Sequence, residues 1–130
     1  MRLLRLFKNK KEREIEDPLP WEVLSKMEQL DEIEITSQNE LVAIFKHSTR
    51  CPVSRMAYSM FQKDFNREWD DKVAVYVLDL LRYRTISEEV AARFQVWHES
   101  PQLLLIKEGK TIYHASHHAI TAAQIGEFLE

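Results

Sequence analysis

Short, uninterrupted apolar runs most constrain what this chain can fold into. Leu41-Val42-Ala43-Ile44-Phe45 is the clearest, followed by Val73-Ala74-Val75-Tyr76-Val77-Leu78 and Leu103-Leu104-Leu105-Ile106. Each has the length of a strand and is too short for a helix of its own. Leu41–Lys46 lacks the in-out alternation of a strand with one wet face, so it is expected to be buried on both sides. The segments between these runs carry apolar residues every three or four positions, as covering helices do.

Read in order, the chain predicts a short strand over Trp21–Leu24 and a helix from about Ser25 to Ser37. Ser25 and Glu28 have the spacing of a capping box, and Met27, Leu30 and Ile33 fall on one helical face. Ile33–Thr36 also alternates like a strand, which competes with the helix. After Leu41–Lys46, the spacing of Met56, Met60, Phe61, Phe65 and Trp69 predicts a long helix over Ser54–Trp69. The strand Val73–Leu78 ends at Asp79, and a helix follows over Thr85–Phe94 with Thr85 or Ser87 as its cap. Gln102–Lys107 and Thr111–Ala115 form a hairpin around Glu108-Gly109-Lys110. A last helix begins near Thr121 and runs to the C-terminus. The order βαβαβαββα specifies an α/β fold with a central mixed sheet flanked by helices.

Composition narrows the function. With 130 residues, 45% hydrophobic and 30% charged, the chain suits one compact domain, taken as residues 21–130. A formal net charge of −3 gives no general attraction for nucleic acid. No apolar run approaches the roughly 18 residues that span a bilayer. Residues 1–20 are a basic tail and linker, with Arg2, Arg5, Lys8, Lys10, Lys11 and Arg13 ahead of Asp17-Pro18-Leu19-Pro20. Leu3, Leu4, Leu6 and Phe7 would allow an amphipathic contact with an anionic membrane surface; the plainer reading, adopted here, is a solvated tail.

Cys51 is the only cysteine. One thiol cannot form an internal disulfide, which fits a reducing, cytoplasmic setting. It follows the first buried strand through the turn Lys46-His47-Ser48-Thr49-Arg50 and precedes Pro52-Val53-Ser54-Arg55. Pro52 suits the first position of a helix, where its missing N–H costs nothing. That places Cys51 at a helix N-terminus, where unpaired N–H groups and the helix dipole favour thiolate over thiol. Arg50, and more distantly Lys46 and Arg55, push in the same direction, and Ser54 can donate a hydrogen bond toward the sulfur. The expected result is a lowered thiol pKa and a nucleophile at neutral pH. Ser54 stands where a second cysteine would resolve a mixed disulfide, and it cannot attack one. Release of any thiol taken up by Cys51 therefore needs an external thiol.

Together, the element order, the Cys-Pro turn after the second strand and Ser100-Pro101 before the hairpin resemble the thioredoxin fold. More narrowly, Arg50-Cys51-Pro52-Val53-Ser54 is similar to the active-site segment of the monothiol bacilliredoxins, usually Thr-Cys-Pro-Ile-Ser. His98-Glu99-Ser100-Pro101-Gln102 is similar to that family's stretch before the hairpin. The resemblance implies a monothiol thiol-disulfide oxidoreductase that removes bacillithiol from S-bacillithiolated client proteins. Bacillithiol would be a co-substrate, with no cofactor tightly bound. It also implies a cis-proline at Pro101 opposite the nucleophile, with Ser100 facing the bound thiol. Ser116, His117 and His118, in the loop expected beside the thiol, and Thr49 join that substrate-binding set. Bacillithiol carries a malate, whose carboxylates would favour Arg50 and helix N-termini.

Other readings of these residues remain open. A lone cysteine can be a small buried hydrophobe, though those rarely sit between Arg and Pro at a strand-to-helix turn. Iron–sulfur binding usually accompanies Gly-Phe after the cysteine, which Pro52-Val53 does not match, and no metal site is expected with so few sulfur ligands. His114, His117 and His118 tempt a metal reading, but their spacing spans a strand end and a loop. The alternative function class is a thioredoxin-like module that binds a peptide near Pro101 without redox turnover.

Overall fold

The structure, a computed structural model, describes residues 19–129. The basic tail and its proposed membrane contact lie outside the described residues. Strands β1 (Glu22–Val23), β2 (Leu41–His47), β3 (Val73–Asp79), β4 (Gln102–Lys107) and β5 (Lys110–Ser116) form a five-stranded sheet in the order β1-β3-β2-β4-β5. β1, β3 and β2 are parallel, β4 pairs antiparallel with β2, and β5 pairs antiparallel with β4. Helices α1 (Glu28–Thr36), α2 (Pro52–Asp64), α3 (Arg84–Arg93) and α4 (Ala123–Glu127) complete the fold. The α/β order expected from the sequence is the one observed.

β2 is the centre of the fold, and all of its residues are buried. Its alternate side chains enter different layers, as strand geometry requires. Val42 and Ile44 join Leu30, Ile33, Ile86 and Val90 of α1 and α3. Leu41, Ala43 and Phe45 join Phe61, Phe65 and Ile125 on the other face, which α2 and α4 cover. Two closed faces explain the unbroken apolar run.

Several element ends differ from the sequence expectation, each for a local reason. The Ser25/Glu28 capping box does not form. Instead the Gln29 side chain braces the turn: its Oε1 accepts from the Ser25 and Lys26 N–H groups at 2.8 and 2.9 Å, and its Nε2 donates to the Val23 carbonyl at 3.0 Å. α1 overrides the strand-like alternation of Ile33–Thr36 by burying Ile33 and leaving Ile35 in water. The helix expected over Ser54–Trp69 stops at Asp64, because Phe65 turns extended (φ −68°, ψ 127°). That turn sends the Phe65 ring edge-on against Trp21 and Trp69, at 5.1 and 5.2 Å. Asn66 then caps a 3₁₀ turn over Arg67–Trp69 by accepting from the Glu68 N–H at 2.9 Å.

Neither Thr85 nor Ser87 caps α3, which starts at Arg84 from Tyr83. The Asp79 carboxylate holds the turn ahead of it, accepting from the Leu81 and Arg82 N–H groups at 3.1 and 3.4 Å. Instead of a helix from Thr121 to the end, a 3₁₀ turn over His117–Ala119 leads to the short α4. At the far end of the sheet the β4–β5 turn is tied to the end of α1. The backbone carbonyl and hydroxyl of buried Ser37 accept from Glu108 and Gly109 N–H at 2.7 and 2.8 Å. Gly109, at φ +77°, supplies the left-handed residue that turn needs.

Candidate active site

Four chain segments converge at one end of the sheet: the exits of β2, β3 and β5, and the entry to β4. Cys51 is exposed there as the N-cap of α2, with Pro52 opening the helix. Its backbone is extended (φ −97°, ψ 120°), and its carbonyl accepts the first helical bond from the Arg55 N–H at 2.9 Å. The sequence placed the thiol at a helix N-terminus, and it stands one residue ahead of the first helical position.

The loop that presents the thiol is held from two sides. Ser54 was expected to donate toward the sulfur. It is fully buried instead, and its Oγ accepts from the Ser48 N–H at 2.9 Å. Among the described residues no hydrogen bond reaches the Cys51 sulfur, so Ser54 shapes the loop rather than bonding to the thiol. Thr49 donates from its hydroxyl to Asp79 Oδ2 at 3.3 Å, which ties the loop to the end of β3. Arg50 is exposed beside the thiol.

Behind the loop lies His47, buried and stacked on Tyr58 of α2 with ring centroids 4.7 Å apart. Its Nδ1 has no hydrogen-bond partner. Burial pushes the His47 pKa down, against the opposing pull of the Asp79 carboxylate. A largely neutral imidazole therefore sits under the loop at physiological pH.

Opposite the loop, the Ser100–Pro101 peptide bond is cis, as the resemblance implied. The Pro101 carbonyl accepts from the His117 N–H at 3.1 Å, with His117 itself left-handed at φ +55°. This bond brings the end of β5 to the cis-proline. Ser116 donates from its hydroxyl to Glu99 Oε1. The His117–Ala119 turn lies against α2, and both His117 and His118 are exposed. The segments holding Thr49, Arg50, Cys51, Ser100, Pro101, Ser116, His117 and His118 thus share one end of the sheet. Among the described residues no group of three or more His, Cys, Asp or Glu side chains is placed to hold a metal ion.

Residues 22–125 match the family described as monothiol bacilliredoxin BrxC. The chain belongs to the monothiol bacilliredoxins. A solved thioredoxin-fold structure assigned as an oxidoreductase is 28% identical, with a TM-score of 0.68 over 82% of this chain and 90% of that one. The thioredoxin of Malassezia sympodialis is 21% identical, with a TM-score of 0.64 over 86% and 90% of the two chains. For Fasciola hepatica thioredoxin the values are 18%, 0.61, 83% and 95%. These last two carry the fold alone. This bacilliredoxin is therefore a thioredoxin-fold thiol oxidoreductase, and no helix among its described residues is long and apolar enough to cross a membrane.

Sequence reasoning missed how the polar residues under the site are buried and braced. Asp79 braces both the thiol loop and the turn into α3. His47 and Lys46 are buried at the end of β2, and Gln102 is buried at the start of β4. The available signal was positional. Two cationic-type side chains closing an otherwise apolar strand, in a sheet covered on both faces, have nowhere to go but inside.

Proposed function

We propose that this bacilliredoxin removes bacillithiol from S-bacillithiolated client proteins by a one-thiol exchange at Cys51. The observation that carries this reading is an exposed thiol at the N-terminus of α2 in a chain with no other cysteine. The Cys51 thiolate attacks the bacillithiol sulfur of the client's mixed disulfide. The client leaves as a thiolate and takes up a proton from water, and the new disulfide joins Cys51 to bacillithiol. A second, external thiol then attacks that disulfide, restoring Cys51 and leaving as a disulfide with bacillithiol. No internal thiol competes for the intermediate, so it persists until a partner arrives.

The surrounding residues have assignable tasks in this reading. The start of α2 presents the Cys51 sulfur at the surface, with exposed Arg50 next to it. The backbone at Ser100–Pro101 receives the extended disulfide partner, and the Ser116–His118 turn borders it. Thr49 acts by fixing the loop to Asp79. Carboxylates of the malate group would find Arg50 and the α2 N-terminus favourable. Clients are soluble thiol-capped proteins, with no role for nucleic acid, and the cytoplasm is the compartment where such exchange is useful.

The test is direct transfer. A bacillithiol-capped client mixed with the reduced protein is expected to lose its cap while intact-protein mass spectrometry shows one bacillithiol adduct, mapped to Cys51. Cys51→Ser is expected to give neither change. Decapping without an adduct on Cys51, or decapping by the serine variant, overturns the proposal. Binding of an uncapped peptide at Pro101 with no transfer would favour a binding module.

A further inference from the structure

Lys46 is a buried cation with no ion-pair partner among the described residues. It is fully buried, and its Nζ has no hydrogen-bond partner among the described residues. Burial alone accounts for the fall of its pKa from 10.5 to about 8, with no carboxylate near enough to pull it back. Its partner across the β2–β4 ladder is Gln102, the residue after cis-Pro101. Gln102 is also buried, with Oε1 unpartnered and Nε2 donating to the Trp97 carbonyl at 3.0 Å. Lys46 therefore lies under the 97–101 segment, on the sheet face away from α2.

The carboxylates at this place keep their charge but none of them pairs with Lys46. His98, on the same segment, has its pKa lowered by partial burial and then by Lys46 and Arg84, with only Glu99 acting in the opposite direction. Glu99 is already engaged by Ser116. Asp79 is engaged by Thr49 and by two backbone N–H groups. A buried cation in such surroundings projects a field that solvent screens poorly. An apolar side chain at this strand position would give a more stable protein, so the charge has a use that stability does not explain.

We infer that Lys46 is a specificity-determining residue, whose buried charge biases exchange at Cys51 toward low-molecular-weight thiols that carry carboxylates. The inference rests on the thiol-exchange reading above and names the feature of the thiol that the site selects. Lys46 touches no ligand. It acts through the field at the cis-proline segment, where the thiol moiety of the mixed disulfide lies, and it adds to the exposed charge of Arg50 from the opposite side.

The test compares two caps on one client peptide: glutathione, net negative with two carboxylates, and 2-mercaptoethanol, which is neutral. The quantity read is the ratio of transfer rates to Cys51, anionic cap over neutral cap. Lys46→Met is expected to lower this ratio by about three- to tenfold. Lys46→Arg, which keeps the charge, is expected to hold it near the wild-type value. Thermal melts on each variant establish that it is folded. A ratio in folded Lys46→Met within twofold of wild type overturns the inference, including the case in which both rates fall together. A ratio that falls equally in folded Lys46→Arg and Lys46→Met also overturns it. Transfer of glutathione and 2-mercaptoethanol but not bacillithiol by the wild type would remove the bacillithiol reading, with the Lys46 ratio still decided. Transfer of neither glutathione nor 2-mercaptoethanol would overturn the Lys46 inference, with the bacillithiol reading decided separately by the bacillithiol-capped client.

Discussion

The two faces of the sheet are built from different materials, and the difference separates two tasks. Under α2 the layer is aromatic: Trp21, Phe45, Tyr58, Phe61 and Phe65 form a chain of tilted and edge-on rings with centroids 4.8 to 6.3 Å apart. Under α1 and α3 it is mostly aliphatic, with Leu24, Leu30, Ile33, Ile44, Leu78, Ile86 and Val90. Flat rings have few rotamers and interlock at fixed angles. The aromatic layer therefore holds the helix that carries Cys51 in one place. The aliphatic layer supports no reactive group directly, and it is the face on which the buried, unpaired Lys46 is found.

The largest expected effect tests whether the aromatic layer is the one that positions the thiol. Phe61 packs on Phe45 at 4.8 Å and on Trp21 at 5.5 Å. Phe61→Ala is expected to cost about 3–5 kcal/mol, and Leu30→Ala on the other face about 2–5 kcal/mol, in denaturant unfolding. The contrast lies in the second measurement. Under conditions where both variants are folded, alkylation of Cys51 is expected to change in Phe61→Ala and to stay at the wild-type rate in Leu30→Ala. Equal changes in the two variants would mean the faces do not divide the work.

A smaller effect of opposite sign is expected from Lys46. Its pKa of about 8 lies below the ordinary lysine value of 10.5, so the folded state disfavours the charged form. Below about pH 8 both folded and unfolded chains hold the proton, and the desolvation cost stands in full, on the order of 3 kcal/mol. Between about 8 and 10.5 the unfolded chain binds the proton and the folded chain does not, so stability from this group rises with pH. Lys46→Met is accordingly expected to be more stable than wild type at pH 7, with the advantage shrinking toward pH 10. An advantage that is flat across that range would show that the charge is not the source. Combined with the selectivity ratio, the melt separates what Lys46 costs the fold from what it does for exchange.

Legibility in the sequence followed the same division. Apolar runs at strand length specified the covered sheet, and Cys51-Pro52 marked the helix start, because each is a local pattern with a local cause. Three things escaped. The break at Phe65 depends on rings from Trp21, distant in sequence, and from Trp69, four residues on. The brace at Asp79 depends on the parallel register that sets it beside His47. The sequence presents Lys46 as the end of a buried strand and as a distant cation near Cys51, and only its fully buried Nζ without a partner, beside Gln102, shows that its charge is enclosed. The cis bond at Pro101 came from family resemblance, since no single X–Pro pair announces its isomer.

Ser54 gives the smallest effect and the finest division between holding the loop and activating the thiol. Its hydroxyl accepts from the Ser48 N–H at 2.9 Å from a fully buried position, with no bond to sulfur. Ser54→Ala leaves that N–H without its acceptor, at a cost of about 1 kcal/mol in stability. If the hydroxyl acts only on the loop, the pH at which Cys51 alkylation reaches half its maximal rate is expected to stay where it is in the wild type. Transfer from a capped client, which needs the loop in register with the cis-proline, is expected to slow. A shift of the alkylation midpoint to higher pH would instead place the hydroxyl on the thiolate. The aromatic layer would then position a thiol whose reactivity depends on its own helix's first turn.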